Sequence, residues 1–200
     1  IAIIAFCCYS LSSLVTYFVP YFTDVMKISV AGAGAIYVIT GPFAAFFGLI
    51  TGTVSDFLRS TIKVIVGVMV IVLAVLCLLL VSTSNLPFAS AVAIDCIITL
   101  GVGGCYQIMF SMVEETGMDR KVAGSCIGVA SIIAYLPDIF LYAMFGNWLD
   151  KYGNDGYSMI FKYGVGVSSI AIIGGILLLI SIKKSRKKKA LLETETVKAA

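Results

Sequence analysis

Six runs of nearly uninterrupted apolar residues, each about 20 long, leave this chain few folds to choose from. A helix of that length crosses the roughly 30 Å hydrocarbon core of a bilayer, and a spanning segment has to be helical because unpaired backbone amides are not tolerated in lipid. The runs cover approximately residues 1–22, 32–54, 62–81, 88–113, 122–148 and 157–182. Composition agrees: 60% of the 200 residues are apolar and 12% are charged, too little polar surface to coat a soluble particle of this size. The expected fold is an all-α membrane protein, with a six-helix transmembrane bundle over 1–182 and a basic tail over 183–200.

The polar corner "STSNLP", with Asn85 and Pro87, ends the third run. Lys and Arg are retained on the cytoplasmic side of short loops, and they concentrate in the second loop (Arg59, Lys63), the fourth (Arg120, Lys121) and the tail "KKSRKKK". Both ends of the segment are therefore expected in the cytoplasm. The chain opens inside an apolar run without an initiator Met, as expected of a segment whose N-terminal part lies elsewhere, and that run has no basic n-region or cleavage site of a signal peptide.

Two of the loops repeat a spacing. "GTVSDFLR" places Asp56 four residues after Gly52, and "GNWLDKYG" places Asp150 four residues after Gly146. Pro42 precedes Asp56 by 14 residues and Pro137 precedes Asp150 by 13. Each loop joins the second and third helix of a three-helix set, but on opposite faces of the membrane. The pattern predicts two inverted three-helix repeats. The plainer alternative is that glycine and aspartate both favour helix ends and turns.

In these motifs the chain resembles the major facilitator superfamily of secondary transporters. That family's loop motif reads Gly-x-Leu-(small)-Asp-(basic)-x-Gly-(basic)-(basic). Gly52, Ser55 and Asp56 match it, with Arg59 and Lys63 beyond, although Phe57 stands for the basic residue and Arg59 for the second glycine. Gly146, Leu149, Asp150, Lys151 and Gly153 match it again. The resemblance covers nearly the whole chain and implies the C-terminal six-helix half of a twelve-helix bundle. It also implies a gating role for Gly52, Asp56, Arg59, Gly146 and Asp150, whose contacts form in one conformation and break in another. A solvated turn is the competing reading, since exposed ion pairs contribute little.

Candidate solute or proton residues come from the polar groups inside the runs. Asp95 lies near the membrane midplane and Asp138 follows Pro137 in the outer half of the fifth helix; ionisable groups at such depth are costly and mark function. Either carboxylate could exchange a proton, hold a cation or bind a positively charged solute group, or else be neutralised by a helix neighbour for packing. Tyr9, Tyr106, Gln107 and Tyr135 could line a cavity beside them. Gly48 with Gly52, Gly124 with Gly128, and the cluster Gly101, Gly103 and Gly104 offer small faces for close helix packing, and Pro42 and Pro137 should kink their helices.

The sequence holds no histidine, no phosphate-cradling loop and no nucleophile with a base nearby, so an enzyme, a metal site and a cofactor are not expected. Its six cysteines lie inside apolar runs without zinc-site or disulfide spacing. The basic tail beside a membrane helix suits orientation and anionic lipid rather than nucleic acid. The expected function is secondary active transport of a small solute across the inner membrane by alternating access, coupled to an ion, the proton being favoured. The partners would be the solute, the ion, the bilayer and an N-terminal six-helix half. The alternative is a non-transporting receptor or structural subunit built on the same fold.

Overall fold

The computed structural model of the chain describes residues 1–82 and 87–199, with side chains left undescribed at 82, 120 and 189–199. Asn85, expected to break the third helix, lies outside the described residues. Among the described residues nine α-helices and one short 3-10 turn follow in order: α1 (Ala2–Val15), α2 (Phe18–Asp24), α3 (Val30–Leu58), α4 (Thr61–Ser82), α5 (Phe88–Ile108), the 3-10 turn Met109–Ser111, α6 (Met112–Glu115), α7 (Arg120–Ala134), α8 (Pro137–Tyr152) and α9 (Asp155–Ala199). Six continuous or broken helical segments among these residues are long and apolar enough to cross a membrane: Ala2–Asp24, Val30–Leu58, Thr61–Val81, Phe88–Glu115, Lys121–Tyr152 and Asp155–Lys188.

Three of these spans are interrupted: Phe88–Glu115 by the 3-10 turn Met109–Ser111, and Ala2–Asp24 and Lys121–Tyr152 at breaks that proline chemistry explains. Proline has no N–H and its ring clashes with the preceding turn, so it is tolerated in the first turn of a helix but not beyond. Pro137 opens α8 directly after the turn at Tyr135 and Leu136. Pro20, which carried no expectation, sits in the first turn of α2 just after the break at Thr16 and Tyr17. Pro42, by contrast, lies inside α3, which continues past it to Leu58. The last helix also runs on beyond residue 182 as far as Ala199.

The core is built where α1, α4, α5 and α9 meet, with Leu11, Leu14, Ile65, Met69, Leu76 and Ile98 fully buried. At one end of the bundle Phe18, Tyr21, Phe22, Tyr157 and Phe161 form a buried aromatic knot with ring centroids 5.3 to 6.3 Å apart. The α3–α5 contact depends on small residues. A Cβ at Gly104 would stand 2.7 Å from Thr51 Cγ2 and one at Gly103 2.9 Å from Ala44 Cβ, so nothing larger fits without separating the helices. A Cβ at Gly52, Gly124 or Gly128 would meet nothing within 4 Å, so of the two expected pairs only Gly48 packs closely against another described helix.

Candidate functional site

Four of the six polar candidates come together where the broken spans face each other. α1 carries Tyr9, α5 carries Tyr106, the end of α7 carries Tyr135, and the first turn of α8 carries Asp138. Restarting the helix at Pro137 turns Asp138 toward α1, where Tyr9 donates its phenolic hydrogen to the carboxylate Oδ2. The Tyr9 ring meets Tyr135 edge-on with centroids 4.7 Å apart and an interplanar angle of 87°. The Tyr106 ring lies 5.8 Å from that of Tyr9 at a 45° tilt, and Phe110 extends the group from Tyr135 at 6.5 Å.

Asp138 is exposed and near the middle of its span, a depth at which a bare carboxylate cannot face lipid at acceptable cost. Its position in the first turn of α8 places it at the favourable end of the helix dipole, which offsets part of that cost, while the Asp138 and Ile139 N–H groups bond back to the Tyr135 and Leu136 carbonyls. Among the described residues Tyr9 is its one side-chain hydrogen-bond donor, and no Lys or Arg pairs with it. The side of the bundle that carries it therefore has a polar, carboxylate-bearing centre within an otherwise apolar surface.

Asp95 and Gln107 lie elsewhere. Asp95 is 4% exposed, between buried Ile94 and Ile98, and accepts a 3.0 Å hydrogen bond from Thr99 Oγ1 one turn along the same helix. Gln107 reaches across to α3, its Nε2 donating to the carbonyls of Ala44 and Ala45 at 3.2 Å each. Gly48 makes room for that carboxamide, since a Cβ there would lie 2.4 Å from it. Beside it Thr51 Oγ1 lies 3.0 Å from the Gly48 carbonyl and 3.2 Å from that of Gly104, so one hydroxyl proton serves both helices. Gln107 thus joins helices rather than lining the tyrosine group.

The two loop motifs mark helix ends. α3 stops at Leu58 and its C-cap Arg59 is left-handed (φ 50, ψ 34), its N–H bonding back to Asp56 and Ser55. α8 stops at Tyr152 and its C-cap Gly153 also has positive φ (φ 56, ψ −132). Each cap stands seven residues after the first glycine of its motif, Gly52 or Gly146. Gly52, Asp56 and Arg59 line a cavity of about 600 Å³, which Glu114, Glu115 and Arg186 complete. Asp150 is exposed, and Gly146 meets nothing within 4 Å.

Three residues not picked out from the sequence hold these ends. Glu115, at the end of α6, accepts Ser60 Oγ at 2.6 Å on one carboxylate oxygen and the Ile62 N–H at 3.1 Å on the other. Ser60 Oγ accepts the Lys63 N–H at 3.3 Å, so serine and glutamate together cap the start of α4. At the opposite end Asp24, the last residue of α2, accepts the Tyr157 hydroxyl at 2.6 Å beside the start of α9. The available signal is a carboxylate closing an apolar span beside the start of another helix, where an N–H or a tyrosine hydroxyl can donate to it.

No family model matches the chain. It is 26% identical over 197 residues to inner membrane protein YqcE of Escherichia coli (strain K12), covering 95% of this chain and 46% of that protein. It is 28% identical over 204 residues to inner membrane protein YihN of the same organism, covering 98% of this chain and 47% of that protein. The chain thus spans about half the length of the curated relatives it matches.

Proposed function

We propose that this chain is six spans of a multi-pass inner membrane transporter of the major facilitator kind, working with a second six-helix half by alternating access. The observation that carries this reading is Asp138, an exposed carboxylate near the middle of a span, held by Tyr9 across two broken helices. A group so placed belongs on a water-filled path, and broken spans are where transporters assemble midplane sites. Coupling to protons follows from the same carboxylate, which can be neutralised by a proton or by a solute.

Equivalences between the ends of the bundle support the inverted repeat. If spans one to three correspond to spans four to six, then Glu115 at the end of span four holds the start of span three, and Asp24 at the end of span one holds the start of span six. The positive-φ caps at Arg59 and Gly153 occupy corresponding positions as well. Lys and Arg near the Arg59 end support a cytoplasmic position for it.

The test is uptake of pooled labelled solutes by proteoliposomes of the full-length protein under an imposed pH gradient. The expected result is gradient-driven uptake that falls at least tenfold in Asp138→Asn. Full gradient-dependent uptake by Asp138→Asn would remove that residue from the mechanism, and Asp95→Asn then becomes the variant to measure. Silence from folded protein across all pools would favour a receptor.

A further inference from the structure

We infer that the group formed by Tyr9, Tyr106, Tyr135 and Asp138 binds an organic cation, an amine with an apolar body. The inference deepens the transport reading and rests on it only for placing this group on a path through the membrane.

Charge is the first argument. Among the described residues Asp138 has one side-chain hydrogen-bond donor, Tyr9, while a carboxylate offers about four lone-pair sites, so these residues leave most of its accepting capacity open. The three spans that build the group supply no compensating cation at this depth. Ala2–Asp24 and Phe88–Glu115 contain no Lys or Arg, and in Lys121–Tyr152 the basic residues are Lys121 and Lys151, at its two ends. An anionic solute would be repelled here. A cationic one would supply the missing partner and N–H donors at once.

The rings are the second argument. Tyr9 meets Tyr135 at 4.7 Å and 87°, so the two rings stand at right angles, and Tyr106 at 5.8 Å and a 45° tilt adds a third orientation. Tilted rings beside a carboxylate offer a cation negative quadrupole faces within about 6 Å, and their carbon edges suit an apolar body. Phe110 at 6.5 Å from Tyr135, and Phe6 stacked on Phe140 at 6.4 Å, continue that apolar surround. A polyhydroxylated neutral solute would instead call for a fan of amide and hydroxyl groups, and Gln107, the nearest amide in sequence, is engaged with α3.

The experiment is calorimetric titration of the full-length protein in nanodiscs with a graded panel running from ethylamine to phenethylamine and tetraethylammonium. Each primary amine is paired with the neutral alcohol of the same skeleton. At least one amine is expected to bind tenfold or more tightly than its alcohol. Asp138→Asn should erase that preference, while Tyr106→Phe, which keeps the ring, retains it and Tyr106→Ala weakens binding at least fivefold; the Tyr106 pair decides the matter if Asp138→Asn does not fold. The inference is overturned if no amine exceeds its alcohol by more than twofold, or if folded Asp138→Asn keeps the preference. Counterflow in proteoliposomes separates the two readings. Amines that bind but never cross defeat transport alone, whereas uptake of neutral or anionic solutes without amine selectivity defeats this inference alone.

Discussion

The corner after α3 and the corner after α8 share a glycine-to-aspartate spacing and a positive-φ cap, yet they are secured in different ways. The first carries Arg59 in a conformation that costs an L side chain about 1 kcal/mol, and it is tied down by Glu115, Ser60 and Arg186. The second carries Gly153, which adopts its backbone freely, and among the described side chains the Tyr157–Asp24 hydrogen bond lies beside it. A strained turn held by several charged contacts can release when those contacts break. An unstrained turn with one tether has less to release.

Removing the carboxylate at the first corner should have the largest effect. Glu115→Ala leaves the Ser60 hydroxyl and the Ile62 N–H without their acceptor, at a cost of about 2–3 kcal/mol, read as a lower thermal midpoint of the purified protein and faster amide exchange in the first turn of α4. Equal loss from Glu114→Ala would show that charge at this corner matters more than the cap.

At the second corner Gly153→Ala should cost about 2 kcal/mol, because its φ and ψ lie where L side chains are rarely found. Chemical unfolding in mixed micelles would measure it, and an unchanged midpoint would mean that the turn is not rigid. Tyr157→Phe should cost less, about 1 kcal/mol, since it removes one hydrogen bond from a buried ring while the exposed Asp24 stays solvated.

The smallest effect should have the opposite sign. Arg59→Gly is expected to raise stability by about 0.5–1 kcal/mol through relief of the left-handed strain. A loss instead would assign the guanidinium a contact worth more than the strain, and so sharpen the case for Arg59 as part of a gate.

Much of this fold was legible because lipid imposes one length and one secondary structure on each apolar run. All six predicted runs match spans, and the Gly103–Gly104 face does pack closely. The breaks were harder to read: Pro42 and Pro137 look alike in sequence, but the first lies within an unbroken helix and the second begins a new one. Only the surroundings of each proline decide between those outcomes. The site was legible in part for a similar reason. Tyr9, Tyr106, Tyr135 and Asp138 were picked as polar groups in apolar runs, whereas periodicity alone could not tell that Asp95 turns inward to Thr99 or that Gln107 spans to α3. Glu115 and Asp24 escaped notice because a carboxylate at a helix end is ordinary until the partner helix is in place.

One uninterrupted helix, α9, touches both corners. Its Tyr157 bonds Asp24 near one end, and its Arg186 donates to the Glu115 carbonyl about 44 Å further on, at roughly 1.5 Å per residue. Such a helix behaves as a pushrod. Both corners are therefore tied to one continuous element, so an axial shift of α9 would strain the Asp24 contact and the Glu115 contact together.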